Sequence, residues 1–274
     1  MTDFMPGRSR LPSVVKNIII INVIMVLIQF ALGTRNIDLA DYLGLHYWQS
    51  PLFRWWQPLT HIFMHGSASN VELTVGHIFF NMFALWMFGS VLENLWGPRR
   101  FLIFYLICGL GAAFCHLIVL HIEFSAFYKS FIQFQNDPTL DHYILFLKQH
   151  SFSVDNNVWI NNPGCTNCAN DAIQSINDYY VKMINEPTVG ASGAVFGVLF
   201  AFGYLFPNMP LYLFFIPIPI KAKWIIGGYI LLELYEGLKN SAGDNVAHFA
   251  HLGGALFAFI LLKIWNRRIR DKFY

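Results

Sequence analysis

The chain has 274 residues, of which 12% are charged and 55% hydrophobic, and its formal net charge is +2. A soluble globular domain usually has about 25% charged residues, so this composition excludes an ordinary water-soluble protein. The abundance of Phe, Tyr and Trp makes a lipid bilayer the expected environment, and the small net charge gives no reason to expect a nucleic-acid partner.

Six apolar segments approach or exceed the length of a transmembrane helix, which needs roughly 20 mostly apolar residues. In chain order they are 17–34, 77–94, 101–121, 190–207, 224–239 and 249–265. No small-residue cleavage site follows the first segment, so we expect it to be retained as a helix. The sequence therefore predicts an all-α, multi-pass membrane protein built as a bundle of six transmembrane helices.

Two of the connections are apolar or aromatic. Residues 35–76 contain Trp48, Trp55 and Trp56 and few charges, so part of this outer loop is expected to lie in the membrane interface. The apolar run at 211–219 is too short to cross a bilayer and is interrupted by two prolines. It is predicted to be a re-entrant or interfacial loop.

The longest connection, residues 122–188, separates the third and fourth predicted helices. It is rich in Asn and Asp and has two possible short helices, near 138–150 and 169–185. A connection of this length is uncommon, so it is expected to be a small outer subdomain or a partly mobile insertion. Cys165 and Cys168 within it are expected to form a disulfide or to be free thiols, in preference to a metal site.

The distribution of positive charge predicts the orientation, because cytoplasmic loops of membrane proteins have an excess of Lys and Arg. With the N-terminus inside, the cytoplasmic segments 1–16, 95–100, 208–223 and 263–274 hold 12 of the 18 basic residues. Both termini are therefore predicted to be cytoplasmic. The expected division is a tail at 1–16, a membrane domain at 17–265 that includes the insertion, and a basic tail at 266–274. The lack of a large soluble domain favours a bacterial cytoplasmic membrane.

Polar side chains inside the predicted spans are candidates for function, because an ionisable group in a bilayer costs a few kcal/mol. These residues are His77, Asn81, Ser192, Glu233, Glu236, His248 and His251. In the predicted topology all of them except Glu233 lie near the outer ends of their helices. Because three helices bring polar groups to a similar depth, a common site is expected there.

Ser192 and His251 have the chemistry of a nucleophile and its base. A serine hydroxyl is a weak nucleophile until a base takes its proton, and histidine is a suitable base. The small residues around them, including Gly190, Gly193 and Gly254, would let the fourth and sixth helices approach closely. Such a pair predicts acyl transfer, which also requires hydrogen-bond donors for an oxyanion.

His77 and Asn81 are four residues apart and therefore share one face of the second helix. Together with the backbone N–H of Ser192 at a helix N-terminus, they would supply these donors. Taken singly, each feature has an ordinary explanation, since a glycine-rich run is more often packing and a histidine at a helix end is more often interfacial. The expectation of a hydrolytic site depends on their combination.

Three neighbouring groups leave alternatives open. Glu233 and Glu236 could polarise His251, but the simpler interpretation is that they face the bundle interior or the interface. His248 lies three residues before His251 on a similar face and could compete as the base. Leu252 and the glycines after His251 favour His251.

Three motifs resemble, in order and in placement, the signature of the rhomboid proteases. They are His77-Ile78-Phe79-Phe80-Asn81 in the second span, Gly190-Ala191-Ser192-Gly193 opening the fourth, and Ala250-His251-Leu252-Gly253-Gly254 in the sixth. The stretch Trp56-Gln57-Pro58-Leu59-Thr60 also resembles the first outer loop of that family, with Gln57 where the family often has Arg. Glu93 stands where the family has a glutamate. The resemblance covers roughly residues 15–121 and 189–265.

This resemblance implies an intramembrane serine endopeptidase with a six-helix bundle. It implies a Ser192–His251 dyad without an acidic third member. It also implies an oxyanion hole made by His77, Asn81 and the backbone amide of Ser192. The expected substrates are membrane proteins with a transmembrane segment, cut near its outer end, and no metal or other cofactor is expected.

The resemblance further implies that Gly190 allows a tight approach around the nucleophile and that Phe196 packs on His251. Two other function classes remain open. One is a catalytically silent rhomboid-like protein that binds membrane clients, although such a relative would be expected to lack Ser192 or His251. The other is a six-span transporter, which the lack of an internal repeat makes a weaker alternative.

Overall fold

The computed structural model describes residues 11–66, 70–150, 152, 158–162, 164–212, 219–239 and 247–270. Within these residues the protein is mostly helical. In chain order the elements are α1 Ser13–Gly33, α2 Ala40–Leu43, α3 Gln57–Thr60, the 3₁₀ turn His61–Phe63, α4 Val71–Ala84, the π-helical turn Leu85–Gly89, α5 Ser90–Trp96, α6 Pro98–Asn136, α7 Leu140–Gln149, α8 Val158–Asn161, α9 Cys168–Asn185, α10 Ser192–Leu205, β1 Pro210–Leu211, β2 Ile220–Lys221, α11 Ala222–Lys239 and α12 His248–Arg270.

Among the described residues, four helical stretches are long and apolar enough to cross a membrane. They are Ser13–Gly33, Val71–Trp96, Pro98–Asn136 and His248–Trp265. The fourth predicted span corresponds to α10, which is apolar but shorter. The fifth corresponds to α11, which contains four charged residues.

Helix α1 has the apolar outer surface that is expected of a helix surrounded by lipid. Its buried side chains follow a helical spacing and include Val15, Ile18 and Val26. Most of its other large apolar side chains are exposed, among them Ile24 and Leu27. In water such a surface would be unfavourable, whereas in a bilayer it contacts lipid chains.

The N-terminus of α1 is fixed by Glu93, the last buried residue of α5. Its carboxylate accepts hydrogen bonds from the backbone N–H groups of Val14, at 2.9 Å, and Val15, at 2.8 Å. The first N–H groups of a helix have no acceptor within the helix, and a carboxylate there is favoured by the helix dipole. Glu93 therefore links the start of α1 to α5, which ends the second predicted span.

The main core lies where α10 packs between α6 and α12, and glycines allow this close packing. A Cβ atom on Gly254 of α12 would overlap the carbonyl oxygen of Gly193 in α10. A Cβ atom on Gly197 would lie 2.7 Å from Sγ of Cys108 in α6. The backbones of the fourth and sixth helices are thus nearly in contact, as the small residues of the sequence predict.

Helix α6, which corresponds to the third predicted span, is longer than predicted. It was expected to end near residue 121, but α6 continues to Asn136 and is about 58 Å long at 1.5 Å per residue. No proline or glycine interrupts this continuation, and Phe127, Phe131 and Phe134 on it are buried. The predicted end followed the drop in hydropathy, whereas the helix continues because these aromatics pack on a second core.

This second core lies in the insertion and is formed by the end of α6 with α7, α8 and α9. Its buried side chains are Phe127, Phe131, Phe134, Tyr143, Phe146, Leu147, Trp159, Cys168, Ala172 and Ile176. Helices α7 and α9 occupy the two positions predicted for short helices. Cys165 and Cys168 form a disulfide at the start of α9, which is one of the two states expected for them.

The segment predicted to be the first outer loop is held by Gln57. Its side-chain oxygen accepts hydrogen bonds from the backbone N–H of Arg54, at 3.0 Å, and of His46, at 3.3 Å. Its amide nitrogen donates to the carbonyl of Leu52 at 2.9 Å. Trp55 on this loop is 82% exposed, which fits a side chain in the membrane interface.

The connection between α10 and α11 begins and ends in a short antiparallel pair. Pro210 pairs with Lys221 and Leu211 with Ile220. The re-entrant or interfacial loop predicted at 211–219 lies largely outside the described residues.

Candidate active site

The backbone before Ser192 is held from three directions. Thr188 and Leu45 exchange two backbone hydrogen bonds of 2.8 Å, which pair this segment with the first outer loop. The N–H of Gly190 donates to the carbonyl of His61 at 3.0 Å. Nε2 of His116, on α6, is hydrogen-bonded to the hydroxyl of Thr188 at 2.8 Å. These contacts fix where α10 begins.

Gly190 occupies a conformation that other residues rarely adopt, with φ of 138°. A Cβ atom there would lie 2.9 Å from Cε1 of His77 and 3.4 Å from Oγ of Ser192. The imidazole of His77 and the hydroxyl of Ser192 therefore both lie close to this glycine. Ser192 is the first residue of α10, so its backbone N–H has no acceptor within the helix.

His251 lies one turn into α12 and is 8% exposed. Its ring stacks on Phe196, one turn after Ser192, with ring centroids 5.3 Å apart and planes 8° from parallel. This is the contact that the resemblance implies. Tyr229 of α11 packs edge-on against the same cluster, with its ring centroid 4.9 Å from that of Phe196. Phe196 thus contacts a ring of α11 and the imidazole of α12.

In the described part of the chain, no hydrogen bond joins Oγ of Ser192 to His251. Catalytic hydrogen bonds are often long or poorly aligned in an unliganded enzyme and shorten when substrate binds. The two side chains nevertheless lie on helices that pack closely, since a Cβ atom on Gly254 of α12 would overlap the carbonyl oxygen of Gly193 in α10.

The two predicted oxyanion donors differ in their contacts. His77 borders the site beside Gly190 and packs edge-on against His65, with ring centroids 5.2 Å apart. Asn81 is 7% exposed, and its amide nitrogen donates to the carbonyl of His77 at 2.9 Å. One of the two amide N–H groups of Asn81 is therefore used within its own helix, and the other has no hydrogen-bond partner among the described residues.

Glu233 contacts both histidines of α12. Its Oε2 atom accepts a hydrogen bond of 2.7 Å from Nδ1 of His248 and lies 2.9 Å from Nδ1 of His251. Glu233 is 4% exposed and so faces the bundle interior, which was one of the two simple interpretations. Glu236, one turn later, instead lines an outer cavity of about 290 Å³ with Glu123 and Glu186.

Sequence reasoning did not include His61, His116 and Thr188 in the site. All three line a cavity of about 20 Å³ next to Ser192 and Gly190, which is large enough for a single water molecule. His116 is an ionisable residue within the third predicted span, and that signal could have identified it. Nothing in the local sequence indicates that His61 or Thr188 would reach the same cavity.

Two histidines of the first outer loop remain uncharged near the site. Burial lowers the pKa of His61 to about 4, against hydrogen bonds to the backbone that raise it. Burial also lowers the pKa of His65 to about 3, with a smaller contribution from neighbouring His77. Near neutral pH these imidazoles add no positive charge to the site.

Serine, histidine and asparagine side chains at the meeting point of apolar helices define a polar site within a helical membrane protein. The family described as Rhomboid domain matches residues 52–126 and 168–268, which is well over half of the chain. The chain belongs to the rhomboid family and is an integral membrane protein. This family assignment agrees with the three sequence motifs, which contain His77, Ser192 and His251 in turn.

Two curated relatives match shorter segments. The chain is 38% identical over 79 residues to Rhomboid protein 1, mitochondrial, of Saccharomyces cerevisiae, which covers 27% of this chain and 21% of that protein. It is 33% identical over 64 residues to Rhomboid protease GluP of Bacillus subtilis, which covers 23% of this chain and 11% of that protein. The matched segments are thus about a fifth and about a tenth of the relatives' lengths.

Proposed function

We propose that this protein is an intramembrane serine endopeptidase in which Ser192 is the nucleophile and His251 the general base. The observation that supports this most strongly is the contact between α10 and α12. There the first residue of α10 is a serine, and His251 stacks on Phe196 one turn away. Glycines at both sides of the contact allow the approach that proton transfer requires.

The proposed reaction begins when Nε2 of His251 takes the proton of the Ser192 hydroxyl as Oγ attacks the carbonyl carbon of a peptide bond. The negative oxygen that forms is stabilised by the backbone N–H of Ser192, the ring of His77 and the free amide N–H of Asn81. Protonated His251 then gives its proton to the leaving amine, and the C–N bond breaks. Water, activated by His251, hydrolyses the resulting ester and regenerates the serine.

The proposed substrates are membrane proteins with a transmembrane segment. Ser192 and His251 belong to helix starts that the charge distribution assigns to the outer side, so cleavage is proposed near the outer end of the substrate helix. Both termini are proposed to be cytoplasmic, with six spans at 17–265, flanking tails at 1–16 and 266–274, and the 122–188 insertion outside. A bacterial cytoplasmic membrane is the proposed location.

Cleavage in a reconstituted membrane tests this function. Purified wild-type protein in proteoliposomes is expected to cut a single-span model substrate, and Ser192→Ala and His251→Ala are expected to leave it intact. Asn81→Ala is expected to slow cleavage by a smaller factor, on the order of 10²–10³ for one oxyanion donor. Mass spectrometry of the products should place the cut near the outer end of the span.

Two outcomes would oppose the proposal. Cleavage by Ser192→Ala at the wild-type rate would exclude Ser192 as the nucleophile. A folded wild-type protein that binds several single-span substrates without cutting any of them would instead favour a silent, client-binding relative.

A further inference from the structure

Glu233 is a buried carboxylate that lies against two imidazoles of the site. It is on α11, faces the start of α12, and holds one oxygen, Oε2, within 2.9 Å of Nδ1 on both His248 and His251. His248 is aligned to donate to this oxygen. Nδ1 of His251 is buried and makes no aligned hydrogen bond within the described residues, and Oε2 of Glu233 lies 2.9 Å from it.

We propose that Glu233 is a positioning residue for His251, so that the proposed Ser192–His251 pair works with an acidic third member on α11. This inference rests on the proposed function, because it assigns Glu233 a role in that same reaction. It replaces the expectation of a dyad without an acid. It also replaces the simpler interpretation of Glu233 as a residue that only faces the bundle interior.

The contact with Glu233 determines which nitrogen of the His251 imidazole carries the proton. An ionised carboxylate only accepts hydrogen bonds, so a nitrogen held against it must bear the proton. With its proton on Nδ1, neutral His251 has its lone pair on Nε2, where it can accept the proton of Ser192. If Nδ1 were the unprotonated nitrogen, it would oppose the negative oxygen of Glu233. Glu233 therefore selects the reactive tautomer.

The same contact also favours the charged intermediate. When His251 takes the serine proton, the imidazolium lies 2.9 Å from a carboxylate in a site of low dielectric. Among the described residues, the other titratable groups around His251 are His77 on α4, His116 on α6, His248 on α12 and Tyr229 on α11. None of these four is an anion near neutral pH, so within the described part of the chain Glu233 supplies the negative charge that opposes the imidazolium.

His248 has a different part in this arrangement. Its hydrogen bond to Oε2 limits the rotation of the carboxylate, and Phe249 beside it packs against Gly237 of α11. A Cβ atom on Gly237 would lie 3.2 Å from both His248 and Phe249, so the two helices are close here. His248 thus holds Glu233, and Glu233 holds His251. Glu233 remains ionised throughout. One proton passes from Ser192 through His251 to the leaving amine, and in the second half of the reaction a proton of the hydrolytic water passes through His251 back to Ser192.

The test compares steady-state cleavage by the full-length protein in proteoliposomes, using the single-span model substrate. Glu233→Gln keeps the size of the side chain and removes the charge, and it is expected to lower kcat by a factor on the order of 10²–10⁴. KM and the thermal unfolding midpoint are expected to stay near the wild-type values, because neither substrate contacts nor packing is changed. Glu233→Asp, which restores the carboxylate, is expected to recover part of kcat.

Glu236→Gln is the matched control. It makes the same chemical change one turn away on α11, in a side chain that faces the outer cavity. The kcat of this variant is expected to stay within about threefold of wild type. His248→Gln and His251→Gln then separate the two histidines. His251→Gln is expected to lose far more activity than His248→Gln.

A larger loss in His248→Gln than in His251→Gln would contradict the proposed assignment of His251 as the base. Two results would overturn the inference while leaving the proposed function intact. They are a kcat for Glu233→Gln within threefold of wild type, and equal losses in Glu233→Gln and Glu233→Asp together with a lower unfolding midpoint. In each case wild type would cleave and Ser192→Ala would not. A wild-type protein that fails to cleave would contradict the proposed function itself.

Discussion

Gly190 combines a left-handed backbone conformation with close contact to a histidine. Its φ is 138°, and a Cβ atom added to it would lie 2.9 Å from the ring of His77. A side chain here would therefore strain the backbone and displace the imidazole, and both effects act directly beside Ser192. A substitution of Gly190 should therefore disturb the site around Ser192.

Gly190→Ala is expected to lower cleavage by at least about tenfold, because backbone strain of this kind costs of order 1–3 kcal/mol and displaces the groups it positions. The measurement is the initial rate of cleavage in proteoliposomes. Gly228→Ala is the control, since a Cβ atom there would meet no atom within 4 Å. Equal rates for the two variants would show that the conformation of Gly190 does not matter to the site.

Among single residues, the sequence alone predicted those that belong to short, recognisable motifs. Ser192, Gly193 and Gly254 stand in short runs whose small residues already indicate a close helix contact. Glu233 and His116 could be recognised only as ionisable residues within apolar segments. Which neighbour each one faces depends on the rotation of its helix against another helix, and a single sequence does not contain that information.

Helix α6 connects the membrane bundle to the proposed outer subdomain as one continuous element. Its first half packs on α10 and α12, and its last turns contribute Phe127, Phe131 and Phe134 to the second core. The two cores share no buried residue. Damage to the second core should therefore loosen the insertion without altering the packing around α10.

Phe134→Ala is expected to destabilise the outer subdomain by about 3–5 kcal/mol, because it removes a fully buried aromatic ring. Hydrogen exchange should become faster in α7 and α9 and stay unchanged in α10 and α12. Leu145→Ala, at a position on α7 that is 47% exposed, should leave exchange in all four helices unaltered. Faster exchange throughout the bundle in Phe134→Ala would mean that the two cores unfold together.

At the scale of elements, hydropathy predicted where helices exist better than where they end. The third predicted span ended too early because apolar character falls at the membrane boundary, whereas the helix ends only after the aromatic face of α6 is buried. Conversely, α10 begins at Ser192, slightly inside the predicted segment, because Gly190 cannot be helical at φ of 138°.

The whole molecule consists of a helical bundle with an apolar surface and an aromatic-rich subdomain attached at one end. The composition already predicted the first part, since 12% charged residues and 55% hydrophobic residues indicate a surface that faces lipid. The second part could be predicted only as a long connection with two short helices, because its core forms only when four short or partial helices pack together.

The proposed orientation predicts which surfaces are reached from outside the cell. In spheroplasts, a membrane-impermeant maleimide is expected to label Asp141→Cys in the outer subdomain. Arg99→Cys, near the start of α6 and beside the turn from α5, is expected to react only after permeabilisation. Both positions are exposed. Both variants keep the free thiols Cys108 and Cys115, so their labelling is compared with that of the wild type. Labelling of Arg99→Cys in intact spheroplasts would contradict the proposed topology.

The central claim, that Ser192 is a nucleophile activated by His251, is tested most directly by covalent labelling with a fluorophosphonate probe. Purified wild-type protein is expected to take up one probe molecule, with peptide mapping that locates it on Ser192. Ser192→Ala is expected to remain unlabelled and His251→Ala to react far more slowly. Equal labelling of wild type and Ser192→Ala, or a label mapped to another residue, would contradict the account.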